Sequence, residues 1–235
     1  MPLAVITGAS KGFGRAAARE LASDGWDVIV DARHPVDLNA AFPHRSARVT
    51  TIPGDVTDPL HRAVIANAVG DRPLDLLVNN ASHLGPSPQP ELAEYPVDEL
   101  RRVYETNLVA PLALTQLLLP ALHRSARATI VNVTSDASVE AYAGWGGYGS
   151  SKAALDHLTA VLAEEQRSAD RDLRAYAFDP GDMRTEMHQA AFPGEDISDR
   201  PEPETVVPAL LRLIESRPPS GRLRAADLTP AGAHA

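Results

Sequence analysis

The sequence predicts an α/β protein, a single domain built on a doubly wound parallel sheet with helices on both faces. Its 235 residues correspond to one domain of ordinary size. Short apolar runs alternate with stretches of helical spacing, and several runs are continuously apolar, as expected for parallel strands covered on both faces. The predicted strands span residues 3–6, 28–30, 48–52, 74–78, 129–133 and 174–178, with a short last strand over 220–225.

Helix-start and helix-stop signals separate these strands. Residues 13–23 have helical spacing and end at Asp24-Gly25, a common helix stop. Thr57-Asp58-Pro59 predicts an N-cap followed by a proline in the first turn. The predicted helices span residues 13–23, 57–69, 97–122 (interrupted at Pro111), 148–166 and 200–216.

Composition excludes several classes of protein. The net charge of −9 argues against a protein that tracks nucleic-acid phosphates. The absence of cysteine excludes disulfides, thiolate nucleophiles and Cys-ligated metals, and the histidines show no metal-binding spacing. No apolar run approaches the ~20 residues that span a bilayer, and Met1-Pro2 leads straight into the first strand without a basic leader. We therefore expect a cytoplasmic protein without membrane or metal partners.

A glycine-rich turn follows the first predicted strand. Residues 7–14 read T-G-A-S-K-G-F-G and open the first helix. Glycines allow close approach to a pyrophosphate, and a helix N-terminus directs free N–H groups at its charge. An ordinary turn that happens to contain three glycines is the alternative. The position between an apolar strand and a helix favours dinucleotide binding.

The turn and the motifs that follow it resemble the short-subunit branch of the short-chain dehydrogenase/reductase family. The resemblance covers residues 3 to about 185. In chain order, the matching residues are the turn 7–14, Asp55-Val56, Asn79-Asn80-Ala81-Ser82, Asn107, Ser135, Tyr148 with Lys152 (Y-x-x-x-K), and Pro180 to Thr185 (P-G-x-x-x-T). Two departures stand out: Ser82 replaces the glycine of N-N-A-G, and the usual glycine-rich C-terminal segment is missing.

The resemblance implies a Rossmann-type sheet with strand order 3-2-1-4-5-6-7 and a bound NADP(H) or NAD(H). Residues 1–227 would form one domain, followed by a flexible tail over 228–235. The cofactor-binding residues that the resemblance implies are Gly8, Ser10, Lys11, Gly12, Phe13, Gly14, Arg33, Asp55, Val56, Asn79, Ala81, Tyr148, Lys152, Pro180, Gly181, Met183 and Thr185.

The resemblance also implies the reaction: hydride transfer that interconverts a carbonyl and a secondary alcohol. Tyr148 and Lys152 share a helix face, so the ammonium is expected to lower the phenol pKa from its ordinary value of ~10. By resemblance, Tyr148 is the acid/base, Lys152 also binds the nicotinamide ribose, Ser135 hydrogen-bonds the substrate oxygen, and Asn107 holds a water that links Lys152 to solvent.

Two residues at the end of the second strand give opposite indications about the cofactor. A cation there binds the 2′-phosphate of NADP, whereas an acid accepts a hydrogen bond from the ribose 2′-hydroxyl of NAD. Arg33, with Lys11 as a second cation, favours NADP(H) and hence a reductase. Asp31 would favour NAD(H) if the strand register moved by one residue. NADP(H) is favoured, and NAD(H) remains possible.

The predicted substrate is a small carbonyl or alcohol compound. A loop over about 186–201 with Met187 would face Tyr142, Trp145 and the proline-rich segment 84–90. The long helices over 97–122 and 148–166 predict a homodimer, or a homotetramer if the short C-terminal part still packs as in the family.

Two other functions fit the same fold. A catalytically silent dinucleotide sensor is the alternative, although such proteins usually lack part of the catalytic set. A sugar-nucleotide epimerase or dehydratase would resemble a longer branch with a T-G-x-x-G-x-x-G turn, which this sequence does not have. The G-x-S-x-G motif of serine hydrolases is also missing.

Overall fold

Seven parallel strands form the centre of the molecule. The computed structural model describes residues 1–43 and 48–228. The strands are β1 (Leu3–Ile6), β2 (Asp27–Ala32), β3 (Val49–Pro53), β4 (Leu76–Asn79), β5 (Ala128–Val133), β6 (Leu173–Asp179) and β7 (Gly221–Arg224). They pair in the order β3-β2-β1-β4-β5-β6-β7, which confirms the predicted fold class and strand order.

Helices cover both faces of this sheet. They are α1 (Gly12–Ser23), α2 (Pro35–Ala41), α3 (Pro59–Val69), α4 (Val97–Tyr104), α5 (Ala110–Leu122), α6 (Gly146–Ser168), α7 (Glu186–Ala191), α8 (Pro203–Ser216) and α9 (Ala225–Leu228). Side chains from α1 and α8 pack on one face, and side chains from α3, α5 and α6 pack on the other. Leu76, Leu77 and Val78 in the middle strand are therefore completely buried although they alternate between the two faces.

The helices differ from the prediction at α2 and between α4 and α5. Helix α2 was missed because its seven residues are too few to show a helical period. Pro111 does not interrupt the stretch 97–122, since it lies in the first turn of α5. Between α4 and α5 the chain instead makes a π-helical turn, Glu105–Val109, which contains Asn107. Leu228, the first residue of the predicted tail, is the last residue of α9, and residues 229–235 of that tail lie outside the described residues.

The order of the strands determines where a ligand can bind. Helices that follow β1 and β4 leave the sheet on opposite faces, so a crevice opens between the carboxyl ends of these two strands. Thr7 holds the two ends together, because its hydroxyl oxygen accepts hydrogen bonds from the N–H groups of Asn80 and Ala81, each at 3.0 Å.

Candidate active site

A cavity of about 720 Å³ lies along the carboxyl ends of the first six strands. It contains most of the residues that the sequence singled out. The predicted residues that line it are Gly8, Ser10, Lys11, Gly12, Phe13, Arg33, Asp55, Val56, Ala81, Ser135, Tyr142, Trp145, Tyr148, Lys152, Pro180, Gly181, Met183, Thr185 and Met187.

Three predicted site residues do not line this cavity. Gly14 packs behind the glycine turn, where its missing side chain leaves room for Asn80. Asn79 is only 3% exposed, and its amide donates to the side-chain oxygen of Asn132 at 2.8 Å. Asn79 is therefore not part of the cavity lining, whereas Asn80 is, and a contact between Asn79 and the cofactor stays a prediction. Asn107 is completely buried behind the wall.

The glycine turn has the shape that a pyrophosphate requires. A Cβ at Gly8 would lie 2.7 Å from the Cα of Ala81, so only glycine fits against the end of β4. Lys11, the N-cap of α1, makes no side-chain hydrogen bond to the helix. Within the described residues, nothing accepts from the N–H groups of Gly12 and Phe13 at the helix start. These free donors at a helix N-terminus suit the negative charge of a dinucleotide.

Asp31 is committed to the interior of this turn. Its carboxylate accepts from the Gly8 N–H at 2.8 Å and lies 3.0 Å from the His61 ring Nε2. The Asp31 side chain is only 3% exposed, and burial raises its pKa despite both contacts. Asp31 therefore fixes the glycine turn, and it also lines the cavity beside that turn.

The two predicted cations differ in their surroundings. Arg33 is exposed, and no partner within the described part of the chain bonds its guanidinium. Lys11, by contrast, lies 2.9 Å from a carboxylate oxygen of Glu186 and 3.5 Å from one of Asp37. Of these two cations, Lys11 therefore has acidic partners, whereas Arg33 has no bonded partner among the described residues.

Asp55 lies opposite Arg33 at the same end of the cavity. Burial opposes its ionisation, but hydrogen bonds from the N–H and the hydroxyl of Thr57 outweigh that effect. The positive charge of Arg33 adds to them, and the Asp55 pKa lies below its ordinary value. Asp55 is therefore an ionised hydrogen-bond acceptor at this end of the cavity.

At the other end of the cavity, Tyr148 and Lys152 lie side by side. The Lys152 ammonium is 5.5 Å from the centre of the Tyr148 ring and donates to the carbonyl of Val133 at 2.8 Å. Both are nearly fully buried, with 8% of Tyr148 and 2% of Lys152 exposed. Burial disfavours the charged form of each group, which raises the pKa of Tyr148 to about 12 and lowers that of Lys152 to about 8.

The expectation that Lys152 lowers the Tyr148 pKa was therefore wrong for the polypeptide alone. Burial dominates, and the negative charges of Asp179 and Asp136 act in the same direction. The nearby Ser82 side chain acts in the opposite direction and favours the phenolate. The phenol is consequently protonated at neutral pH.

Ser135 lies two residues after the end of β5 and lines the cavity. The hydroxyl donates to a carboxylate oxygen of Asp136 at 2.9 Å, while its oxygen accepts from the Ala137 N–H at 3.2 Å. The second carboxylate oxygen of Asp136 accepts from the Tyr142 hydroxyl at 3.0 Å. Asp136, which the sequence analysis missed, thus connects the predicted catalytic serine to a predicted substrate residue.

Asn107 supports the active site through contacts with its neighbours. Its side-chain oxygen accepts from the His83 N–H at 2.7 Å and the Ser82 hydroxyl at 3.2 Å. Its amide nitrogen donates to the His83 carbonyl and to the Ser151 hydroxyl. Because these partners saturate the side chain, Asn107 fixes the segment beside Tyr148, and a water held by it remains a prediction.

Sequence and structure comparisons agree on the family. A family model described as short chain dehydrogenase matches residues 2–196 of this chain. The chain belongs to the short-chain dehydrogenase/reductase family. A benzil reductase ((S)-benzoin forming) of Bacillus subtilis is 34% identical over 80% of this chain and 76% of its own length. A serine 3-dehydrogenase of Agrobacterium fabrum is 33% identical over 78% and 72%, respectively.

Solved structures of the same family superpose on the whole fold. A short-chain dehydrogenase from Pseudomonas syringae aligns with a TM-score of 0.88 and 32% identity, over 95% of this chain and 94% of that one. One from Shigella flexneri, complexed with NADP, aligns with a TM-score of 0.86 and 29% identity, over 96% and 97%. The protein is thus an oxidoreductase of the short-chain dehydrogenase/reductase family, with a nicotinamide dinucleotide as its cofactor.

Residues 1–43 and 48–228 contain neither a metal site nor a membrane-spanning helix. No group of three or more His, Asp or Glu side chains is arranged to hold a metal ion there. In the same residues, no helix is both long and apolar enough to cross a lipid bilayer.

Sequence reasoning missed several residues that shape this short-chain dehydrogenase/reductase site. Asn80 donates to the carbonyls of Thr7 and Gly8 and so holds the glycine turn. Asp31 and His61 form a buried pair that no motif identifies, because their contact depends on how α3 packs beside β2. Of these residues, only Asn80 could have been identified from the sequence, because it belongs to the N-N-A-S motif.

Replacement of Gly14 by alanine tests the fit of the glycine turn. In most helices this change is stabilising by about 1 kcal/mol. Here the new Cβ would lie 2.4 Å from the Asn80 amide nitrogen and 2.8 Å from the Gly8 carbonyl oxygen. We expect Gly14→Ala to lose dinucleotide binding, measured by fluorescence titration, and to unfold at a lower temperature. Glu20→Ala, on the exposed side of α1, is the control, and wild-type affinity in Gly14→Ala would contradict the assignment.

Proposed function

We propose that this protein is an NADPH-dependent reductase that converts a ketone into a secondary alcohol, with Tyr148 as the proton donor. The observation that carries the proposal is that Tyr148, Lys152 and Ser135 line one cavity together with the glycine turn. A complete catalytic set argues against the alternative of a silent dinucleotide sensor.

The nicotinamide, when bound, supplies a hydride to the substrate carbon or accepts one from it. Tyr148, protonated at neutral pH, donates its proton to the substrate oxygen in the direction of reduction. Ser135 donates a second hydrogen bond to the same oxygen, once its hydroxyl turns from Asp136. Lys152 lies beside Tyr148, 5.5 Å from the centre of its ring, and its ammonium would hold the ribose.

The surroundings of Asp31 and Arg33 support NADP(H) over NAD(H). Both oxygens of the buried Asp31 carboxylate already have partners, whereas Arg33 is an exposed cation at the cavity wall with no bonded partner in the described chain. A 2′-phosphate would pair with that guanidinium through charge-assisted hydrogen bonds. The NADP complex of the Shigella relative agrees with this preference.

Aromatic side chains surround the space in front of Tyr148. The Trp145 ring centre lies 5.9 Å from that of Tyr148 and 5.6 Å from that of Phe192. Tyr142 lies on the other side of Trp145, with ring centres 6.2 Å apart. This wall favours a ketone that carries an aryl or other apolar group, and the relative named benzil reductase accords with such a substrate.

We also propose that two copies of the chain associate through α5 and α6. Val109, Leu112, Leu117 and Val161 are apolar but between 36% and 47% exposed on this side of the molecule. The proposed assembly is a homodimer, or a homotetramer if a second surface also pairs. A cytoplasmic location fits a cysteine-free oxidoreductase that uses NADP(H), and it stays a prediction.

Tyr148→Phe removes the proton donor and keeps the ring. We expect turnover of aryl ketones, followed by NADPH absorbance, to fall by at least about 100-fold, since general acid–base groups contribute factors of this size. NADPH binding should stay within a few-fold of wild type, because the change removes one oxygen atom. Tyr104→Phe, outside the cavity lining, is the matched control. Undiminished turnover in Tyr148→Phe would refute the assigned role.

Arg33→Ala tests the cofactor preference. Loss of a charge-assisted contact should weaken NADPH binding by about 1–3 kcal/mol and leave NADH binding nearly unchanged. Isothermal titration with both cofactors measures the difference, and Arg171→Ala, an exposed arginine outside the cavity lining, is the control. An equal loss for both cofactors would mean that Arg33 does not bind the 2′-phosphate.

The double variant Leu112→Glu/Val161→Glu tests the assembly. Burial of two carboxylates in an apolar interface is unfavourable, so we expect monomers in sedimentation velocity where the wild type forms dimers or tetramers. Val36→Glu, in the exposed part of α2, is the control. A monomeric wild type, or an unchanged oligomer in the double variant, would contradict this interface.

A further inference from the structure

Arg222 on β7 connects three parts of the active site from outside the cavity. One terminal nitrogen of its guanidinium donates to the backbone carbonyl of Ser135 at 3.0 Å and to an Asp179 carboxylate oxygen at 2.8 Å. Its Nε donates to Asp156 in α6 at 3.2 Å. No sequence motif pointed to this residue, because β7 belongs to the C-terminal part that departs from the family pattern.

The partners of Arg222 are themselves attached to the catalytic groups. The Asp156 oxygen that accepts from Arg222 also accepts from the Ser138 hydroxyl at 2.6 Å, in the turn that follows Ser135. The other Asp179 oxygen accepts from the Gly181 N–H at 3.0 Å, in the loop predicted to contact the cofactor. One side chain therefore holds the ends of β5 and β6 and the middle of α6 together.

These contacts are sheltered from solvent. The side chains of Arg222, Asp156 and Asp179 are 24%, 15% and 5% exposed, respectively. A planar guanidinium can satisfy several acceptors in fixed directions, which an ammonium on a flexible stem cannot do. Removal of the cation would also leave Asp179 buried without its partner, an unfavourable state for a carboxylate.

We propose that Arg222 is a positioning residue that sets the location of Ser135 relative to Tyr148 and fixes the loop after β6. The proposal rests on the proposed reductase function, since it assigns Arg222 to that same site. Arg222 touches neither substrate nor cofactor in this scheme, because it is not among the residues that line the cavity.

The charges around Tyr148 predict a second effect of Arg222. Asp179 at the end of β6 and Asp136 in the turn after β5 both disfavour the phenolate, and the Lys152 ammonium of α6 lies 5.5 Å from the centre of the Tyr148 ring. Arg222 offsets the charge of Asp179 through a direct contact, and Arg224 acts on it only from a distance. Without Arg222, the phenolate should become harder to form, so alcohol oxidation should require a higher pH.

Arg222→Met and Arg222→Lys test the proposal, with Arg224→Met as the control. Arg224 lies on the same strand, but its guanidinium pairs with Asp227. In Arg222→Met we expect kcat to fall by roughly 10- to 100-fold, the cost of a small misplacement at a reacting centre, with a much smaller change in KM. The midpoint of the pH profile for alcohol oxidation should move upward.

Arg222→Lys separates charge from geometry. The lysine keeps a cation beside Asp179 but cannot reach Ser135, Asp156 and Asp179 at once. We therefore expect a lower kcat, with the pH midpoint of alcohol oxidation close to that of the wild type. The double variant Arg222→Met/Asp179→Asn should bring the midpoint back toward wild type. Arg224→Met should change neither kcat nor the pH midpoint of alcohol oxidation.

Amide hydrogen exchange provides a readout that does not depend on activity. The N–H groups of Ala137 and Gly181 bond to Ser135 and Asp179, and both should exchange faster in Arg222→Met and Arg222→Lys. If Arg222→Met does not fold, Arg222→Lys decides: faster exchange supports the proposal, and wild-type exchange overturns it.

Two further results have separate meanings. The first is that Arg222→Met melts at a lower temperature and still has the same kcat and the same pH midpoint as Arg224→Met. In that case Arg222 contributes only to the stability of the fold, and the proposal is overturned. If the wild type reduces no ketone, the proposed function fails, and the exchange comparison still decides whether Arg222 positions Ser135 and the loop after β6.

Discussion

The contact between the ends of β1 and β4 is the constraint on which the rest of the active site depends. At this point, the Thr7 hydroxyl accepts from two successive N–H groups after β4, and Asn80 donates to two successive carbonyls after β1. The glycine turn and the wall beside Tyr148 are thus one rigid unit. A side chain at Gly8 or Gly14 would push the two segments apart, so the glycines serve this internal contact as well as a ligand.

Burial determines the chemistry of the reacting groups. The Tyr148 phenol and the Lys152 amine are both nearly fully buried, and burial disfavours the charged form of each. In the polypeptide alone, this raises the pKa of Tyr148 to about 12 and lowers that of Lys152 to about 8. The phenol therefore holds its proton at neutral pH, the state that a proton donor needs. The neighbouring Asp136 and Asp179 reinforce that state, and Ser82, which replaces a family glycine, opposes it. Local charges have these effects although the chain as a whole carries a net charge of −9.

Buried ionic groups define the site at two separate places. Asp31 is held by Gly8 and His61 under the glycine turn, and Asp179 is held by Arg222 and Gly181 behind Ser135. Each carboxylate would be costly to bury alone, so its partners must stay where they are. The cavity wall is therefore fixed at the cofactor end and at the catalytic end by side chains that are remote from each other in sequence.

The sequence by itself determined the strand–helix alternation, the order of the strands through the family motifs, and the residues nearest to the chemistry. These features are local, because apolar runs, glycine spacing and Y-x-x-x-K each lie within a few neighbouring residues. Tertiary structure alone decided that Asp31 is buried while Arg33 is exposed, and that Asn79 belongs to the core while Asn80 lines the cavity. It also brought Arg222 to Ser135 across 87 residues of chain. Such contacts depend on how whole elements pack, and packing distances between distant segments leave no periodic signal in a single sequence.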